Sequence, residues 1–177
     1  MKQVDVLEEL ESADFVLLFS NIGTLNHFPW GIADYYFENF SNPRKEDMKR
    51  KAYYTLKAFN NKYVCADAYQ KNIIIANRDV ASTWETFLFL QLEDNKCAIY
   101  SYENKFLSAE LSQQNEITAT RGHLADWEKF ELIKLDSIHV AVKAANGKYL
   151  SVDEKSLQLF ANSDSIGKQE KFEMIMK

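Results

Sequence analysis

Val140-Ala141-Val142-Lys143-Ala144-Ala145-Asn146-Gly147-Lys148-Tyr149-Leu150-Ser151 contains the grammar of the whole chain. Val140, Val142 and Ala144 recur with period two, the mark of a half-buried strand. Asn146-Gly147 tolerates positive φ and suits a tight hairpin. Lys148-Tyr149-Leu150-Ser151 then opens a second strand. The same phrase stands twice upstream, as Asn61-Lys62-Tyr63-Val64-Cys65-Ala66 and Asn104-Lys105-Phe106-Leu107-Ser108-Ala109. Tyr63, Phe106 and Tyr149 are separated by equal steps of 43 residues. The first strand matches too: Tyr54, Leu56 and Ala58, then Cys97, Ile99 and Ser101. A third strand carries Ile74 and Ala76, Ile117 and Ala119, Leu159 and Ala161. The fourth opens on Trp84-Glu85-Thr86-Phe87, Trp127-Glu128-Lys129-Phe130 and Gln169-Glu170-Lys171-Phe172, the last copy arriving one residue early.

A repeat of this length decides the fold before any single residue is weighed. Four short strands three times over make twelve, with short loops and no interrupting helical period. A three-bladed propeller and a threefold closed barrel both fit, but propellers use four blades or more. Closure removes the sheet edges and fills the axis with one apolar set per repeat. The expected fold is therefore all-β: a β-trefoil of three four-stranded repeats (about 53–95, 96–138 and 139–177) over residues 51–177. Residues 1–50 are expected to add an N-terminal α/β-like or helical extension.

The phrases aliphatic-X-aliphatic-Lys-Ala, Asn-Gly-Lys-Tyr-Leu-Ser and Trp-Glu-X-Phe resemble the fascin-like β-trefoils over about residues 51–177, most closely in the third repeat. That resemblance implies a binding module, of the kind found in actin-bundling proteins, nuclear proteins and accessory modules of bacterial carbohydrate-active proteins. Ricin-type trefoil lectins end each repeat in Gln-X-Trp. This chain has Trp84-Glu85-Thr86, Trp127-Glu128-Lys129 and Gln169-Glu170-Lys171, so the ricin-type sugar site does not carry over.

Of the 177 residues, 46% are hydrophobic, enough for a sizeable core. The net charge of −5 is uneven: residues 1–50 hold 5 Lys/Arg against 9 Asp/Glu, and residues 51–177 hold 16 against 17. No basic face is implied, which argues against nucleic acid and anionic membranes as partners. No apolar run approaches a membrane span. The start, Met1-Lys2 leading into Glu8-Glu9-Leu10-Glu11, does not read as a signal peptide, so a cytoplasmic protein is expected; a piece of a longer secreted or cell-surface protein would read the same. Two cysteines make no disulfide framework. Cys65 stands where Ser108 and Ser151 stand, and Cys97 where Tyr54 and Val140 stand, so both read as small core fillers.

The candidate ligand-binding residues are Tyr69, Tyr102, Arg121, His123, Trp84 and Trp127. Tyr69 and Tyr102 are aromatics in loops. Trp84 and Trp127 would make stacking platforms, although their period favours packing at the barrel base; Gln169 in the third copy places that position near the surface. Arg121-Gly122-His123 breaks the symmetry of Arg78-Asp79-Val80 and Ser163-Asp164-Ser165, which marks it as a contact loop. Acids stand in threefold register: Asp67, Glu110 and Asp153, then Glu85, Glu128 and Glu170. Glycoside hydrolysis needs two carboxyl groups within about 5–10 Å, closer than symmetry mates on opposite lobes would lie. Turn capping and pairing with Lys62, Lys105 and Lys148 is the expected role. His27, His123 and His139 have no metal-ligand spacing. No nucleophile elbow or phosphate-binding glycine loop is present. No metal, cofactor or catalytic residue is expected.

The first fifty residues do not match the repeat. Val4, Leu7 and Leu10 fall on one helical stripe, and Ala13–Ser20 is a continuous apolar run like a strand buried on both faces. Pro29–Phe40 reads as an aromatic-faced helix stopped by Asn42-Pro43. This is the grammar of an α/β domain, either a closing piece of a larger one or a flap on the trefoil. Arg44–Lys51 is a charged linker. His27-Phe28-Pro29-Trp30-Gly31 would be a docking or active-site loop of such a domain. The apolar run also offers a surface for a homodimer.

The expected function is a non-catalytic binding module for a glycan or protein ligand, a carbohydrate-binding or adhesion accessory domain. The alternatives are an actin-binding cytoskeletal protein of fascin type and a fragment of a larger surface enzyme.

Overall fold

The computed structural model describes residues 50–112 and 114–177. They form twelve strands: β1 (Arg50–Lys57), β2 (Tyr63–Asp67), β3 (Ile73–Arg78), β4 (Thr86–Gln91), β5 (Lys96–Tyr100), β6 (Phe106–Glu110), β7 (Glu116–Arg121), β8 (Phe130–Lys134), β9 (His139–Lys143), β10 (Tyr149–Val152), β11 (Leu159–Ser163) and β12 (Phe172–Met176). The first-to-second strand turns repeat in detail. Ala58, Ser101 and Ala144 each donate their N–H to the carbonyl of Lys62, Lys105 or Lys148, at 2.8, 2.8 and 2.9 Å. Asn61, Asn104 and Gly147 supply the positive φ these turns require.

All strand pairings are antiparallel, and they join one continuous sheet. The shortest closed ring runs β1-β12-β9-β8-β5-β4 and back to β1. A wider circuit, β10-β11-β7-β3-β2-β1-β4-β5-β8-β9, takes in ten strands, with β6 and β12 bridging across it. Three third-strand N–H groups lock neighbouring repeats together: Ala119 donates to Asn72 O (2.7 Å), Ala161 to Asn115 O (2.8 Å) and Ala76 to Leu157 O (2.8 Å).

This architecture corrects the expected fold class. The described residues are all-β, and their only helical pieces are two 3-10 turns, Ala68–Gln70 and Asp126–Glu128. Among the described residues there is no α/β-like or α-helical element. The expected extension, its homodimer surface and the His27–Gly31 loop lie in residues 1–49, outside the described residues. Each repeat contributes four strands to the closed sheet. First and fourth strands pair within each repeat, β1 with β4, β5 with β8 and β9 with β12, and also between repeats, β4 with β5, β8 with β9 and β12 with β1, because closing a ring leaves no edge unpaired. The result is a trefoil-like closed barrel, the closed threefold arrangement that the repeat implied.

The core repeats with the sequence. Phe87, Phe130 and Phe172 are fully buried, packed with Tyr54, Cys97 and Val140, and with Val64, Leu107 and Leu150. A second cluster breaks the symmetry. Leu88, Leu90, Ala98, Tyr100 and Phe106 bury the other face of β4 and β5. Among the described residues no helix is long and apolar enough to cross a membrane.

Candidate functional site

Each repeat brings its two registered acids together beside the hairpin of its second and third strands. In the first, Asp67 ends β2 and accepts the Tyr69 N–H at Oδ1 (3.1 Å) and the Gln70 amide at Oδ2 (3.0 Å). Glu85, buried, accepts the Ser82 N–H at 2.7 Å. Arg78, at the end of β3, reaches both: its Nη2 lies 3.2 Å from Asp67 and its Nε 3.8 Å from Glu85. The guanidinium also lies 6.0 Å from the centre of the Trp84 ring. Tyr69 also packs on Trp84, ring centres 5.4 Å apart and tilted by 56°. An arginine thus stands between the two carboxylates, with a tryptophan beside it.

The second repeat has the corresponding arginine. Arg121 ends β7 and donates from Nε (2.9 Å) and Nη2 to the two oxygens of Glu110. That bond holds the guanidinium pKa above its usual value, with Glu110 and Glu128 adding to it through their charge. Glu128 accepts the Ala125 N–H at 2.8 Å, and Trp127 sits half-buried in the 3-10 turn.

The third repeat keeps the carboxylates and lacks the arginine. Strand pairing sets Tyr63 opposite Arg78, Phe106 opposite Arg121 and Tyr149 opposite Ser163, so Ser163 holds the arginine position. Gln169 holds the tryptophan position. A cleft of about 440 Å³ opens here, lined by Ser151, Asp153, Phe160, Asn162, Gln169 and Glu170 among others. Asp153 Oδ1 accepts the N–H (2.7 Å) and hydroxyl (2.8 Å) of Ser156 and the N–H of Lys155 (3.1 Å). These bonds, those of Ser156 foremost, hold its carboxyl below the usual range. Glu154 on the rim is likewise lowered, first by its bond to Lys168, which lies 2.7 Å away. Glu170 accepts the Gly167 N–H at 2.7 Å. The cleft combines carboxylates, two amides, a hydroxyl and a half-buried aromatic ring, a donor and acceptor set suited to a polyhydroxylated ligand.

The structure distributes the sequence candidates unevenly. Tyr69 (87% exposed) and Trp84 meet in one group. Trp84 packs against Tyr69 and Arg78. Arg121 stands at the carboxylates of the second repeat and Trp127 in its 3-10 turn. Tyr102, 40% exposed, lies in the β5–β6 turn, and His123 is exposed beyond β7. The expected acid–lysine pairing is corrected: Lys62 and Lys148 bond Asp79 and Asp164, while Asp67 and Glu110 bond arginines. Gly122 takes the place of the third aspartate, and a Cβ there would meet Lys105 Nζ at 4.0 Å. Among the described residues no group of three His, Cys, Asp or Glu is placed to hold a metal ion. Sequence reasoning missed the cleft. Its signal was the coincidence of Ser163 and Gln169 in one repeat, and only the folded hairpin shows that those positions share a site.

A family described as a domain of unknown function, DUF7910, matches residues 54–176. No curated protein matches the chain. Solved structures do. The designed threefold-symmetric protein ThreeFoil superimposes with a TM-score of 0.63 at 16% identity, over 70% of this chain and 97% of its own. A β-trefoil named BEL gives 0.61 at 12% identity, over 71% and 93%. A Polyporus squamosus lectin, solved with a Neu5Aca2-6Galb1-4GlcNAc epitope, gives 0.62 at 9% identity, over 71% of this chain and 49% of the lectin. At these identities the likeness is one of fold, and it supports a trefoil-like barrel.

Proposed function

Because the chain belongs to the DUF7910 family of domains of unknown function, its role has to be sought in its own site, and we propose that it is a non-catalytic glycan-binding module whose contact surface is the cleft of the third repeat. The observation that carries this reading is the broken symmetry. Two of three equivalent sites hold the chain's own arginine at their carboxylates, and the third presents about 440 Å³ lined by Asp153, Asn162, Gln169 and Phe160. Sugars are held by planar amides and carboxylates that reach neighbouring hydroxyls, with an apolar ring against a C–H face. Lectins on the same fold, such as that of Polyporus squamosus, are in keeping with this. A filament or other acidic protein partner fits less well, since residues 51–177 hold as many acidic as basic side chains to within one.

Titration of the full chain with a panel of mono- and oligosaccharides, followed by isothermal calorimetry or amide chemical shifts, tests the reading. Millimolar or tighter binding is expected, weakened at least about tenfold by Asn162→Ala, whose lost charge-free hydrogen bonds are each worth roughly 1 kcal/mol. Binding unaffected by Asn162→Ala and by Asp153→Asn would remove the cleft as the site. A panel with no response at millimolar concentration would remove the glycan reading altogether.

A further inference from the structure

The three sites differ in one chemical respect beyond their openness: two hold a cation between their carboxylates and the third does not. In the first, Arg78 stands between Asp67 and Glu85 at 3.2 and 3.8 Å. In the second, Arg121 bonds Glu110 and is drawn by Glu128. In the third, Asp153 and Glu170 both line the cleft, and the position of the arginine is Ser163, whose hydroxyl is turned away to Ser165 O at 2.8 Å. Glu170 is only 5% exposed. Its Oε2 takes the Gly167 N–H, as Glu85 takes that of Ser82 and Glu128 that of Ala125, so the three glutamates are held alike and what differs in the third repeat is the missing arginine. The nearby cations do not fill that place. Lys168 is held by Glu154 at 2.7 Å, and Lys155 gives Asp153 its N–H and acts on that carboxylate through its charge.

We propose that the cleft of the third repeat accepts a cationic group from the ligand, in the place that Arg78 and Arg121 occupy in the sister repeats, and that the ligand is a glycan carrying free amino-sugar residues. The proposal rests on the glycan reading above. A sugar ammonium supplies three N–H donors to the two carboxylates, while the ring hydroxyls meet Asn162, Gln169 and Ser151. N-acetylation removes the charge and two of those donors. An arginine side chain of a partner peptide would match the carboxylates, but it has no use for the amides and hydroxyl on the opposite wall.

The test titrates the full chain with a glucosamine oligosaccharide, its fully N-acetylated counterpart, a glucose oligosaccharide of the same length and an arginine-rich peptide, each at low and at high salt. The expected result is at least about tenfold tighter binding of the free amine than of the N-acetylated or glucose oligomer, an advantage that shrinks at high salt. Glu170→Gln should reduce that preference. As a second variant, Ser163→Arg should abolish binding while leaving the thermal midpoint within a few degrees, because it installs the arginine the sister repeats already accommodate. Equal or tighter binding of the N-acetylated or glucose oligomer would overturn the cationic inference and leave the glycan reading standing. Binding of the peptide alone, or of no probe at millimolar concentration, would overturn both. Undiminished binding by a folded Ser163→Arg would remove this cleft as the amine site.

Discussion

Leu157 has a φ of +61° and holds the position occupied by Asn72 and Asn115 in the other repeats. All three carbonyls accept the N–H of a third-strand alanine, so the left-handed backbone is imposed by the lock between repeats. Asparagine tolerates that region, whereas leucine in it costs roughly 1 kcal/mol. Leu157→Asn is therefore expected to raise stability by about 0.5–1 kcal/mol in urea denaturation. A loss instead would mean that the contacts of its half-buried side chain outweigh the strain. The residue scale was partly legible. Asn61, Asn104 and Gly147 announce their turns by type, but nothing in the residue type of Leu157 reveals a positive φ. The acids show the same limit. Register put Asp67 with Glu110 and Asp153, yet the partners that matter lie within a repeat: Asp67 and Glu85 are joined only once Arg78 folds back eleven residues from Asp67.

Strands and turns were the most legible scale, because period two and the fourth-strand phenylalanines place every strand of the barrel. What escaped were departures from regular pairing. The second-to-third strand hairpins shift register at Tyr63/Val64, Phe106/Ser108 and Tyr149/Leu150, one irregularity per repeat at the same point. The β8–β9 turn carries its own signature. Asp136 accepts the N–H groups of Ile138 (3.0 Å) and His139 (2.9 Å), bonds the His139 ring at 2.8 Å, and pairs with Lys171 at 3.3 Å. The Ile138 bond, followed by those of His139 and Lys171, depresses its carboxyl strongly. A depressed carboxyl contributes stability above its unfolded value of 3.8 and loses it as the pH falls through and below that value. Thermal midpoints measured from pH 6 down to pH 2.5 should therefore fall more steeply for the natural chain than for Asp136→Asn. Parallel curves would show that this turn does not contribute to acid sensitivity.

The whole molecule depends on its last strand. β12 pairs with β1 through Tyr54–Met176, Thr55–Ile175, Leu56–Met174 and Lys57–Glu173, and with β9 through Phe172–Val140, so it closes the ring between the ends of the described chain. It also delivers Phe172, fully buried, to the axis. Removing residues 172–177 would expose the edges of β1 and β9 and empty one third of an apolar layer, where the loss of a single buried Phe side chain costs about 3–5 kcal/mol. That matches or exceeds the margin of a marginally stable domain. The truncated chain is expected to lose its cooperative thermal transition by circular dichroism; a sharp transition retained would show that the ring tolerates an open seam. At this scale the sequence made closure predictable, since three equal repeats with no edge strand have few other solutions. The single open cleft was harder to foresee, because it arises from two substitutions, Ser163 and Gln169, whose meeting is a product of the fold.

If the cleft of the third repeat is the glycan site proposed above, the three equivalent places of the described residues would offer one contact per chain. A monovalent module gains nothing from avidity, which multiplies weak contacts only when several engage the same surface. On the proposed glycan reading it would not cross-link two glycan chains unless copies were joined, and would act as a tether whose residence time one site sets. Because the chain's own arginines close the other two, a pair of substitutions in either of those repeats is the shortest route by which relatives could become cross-linkers.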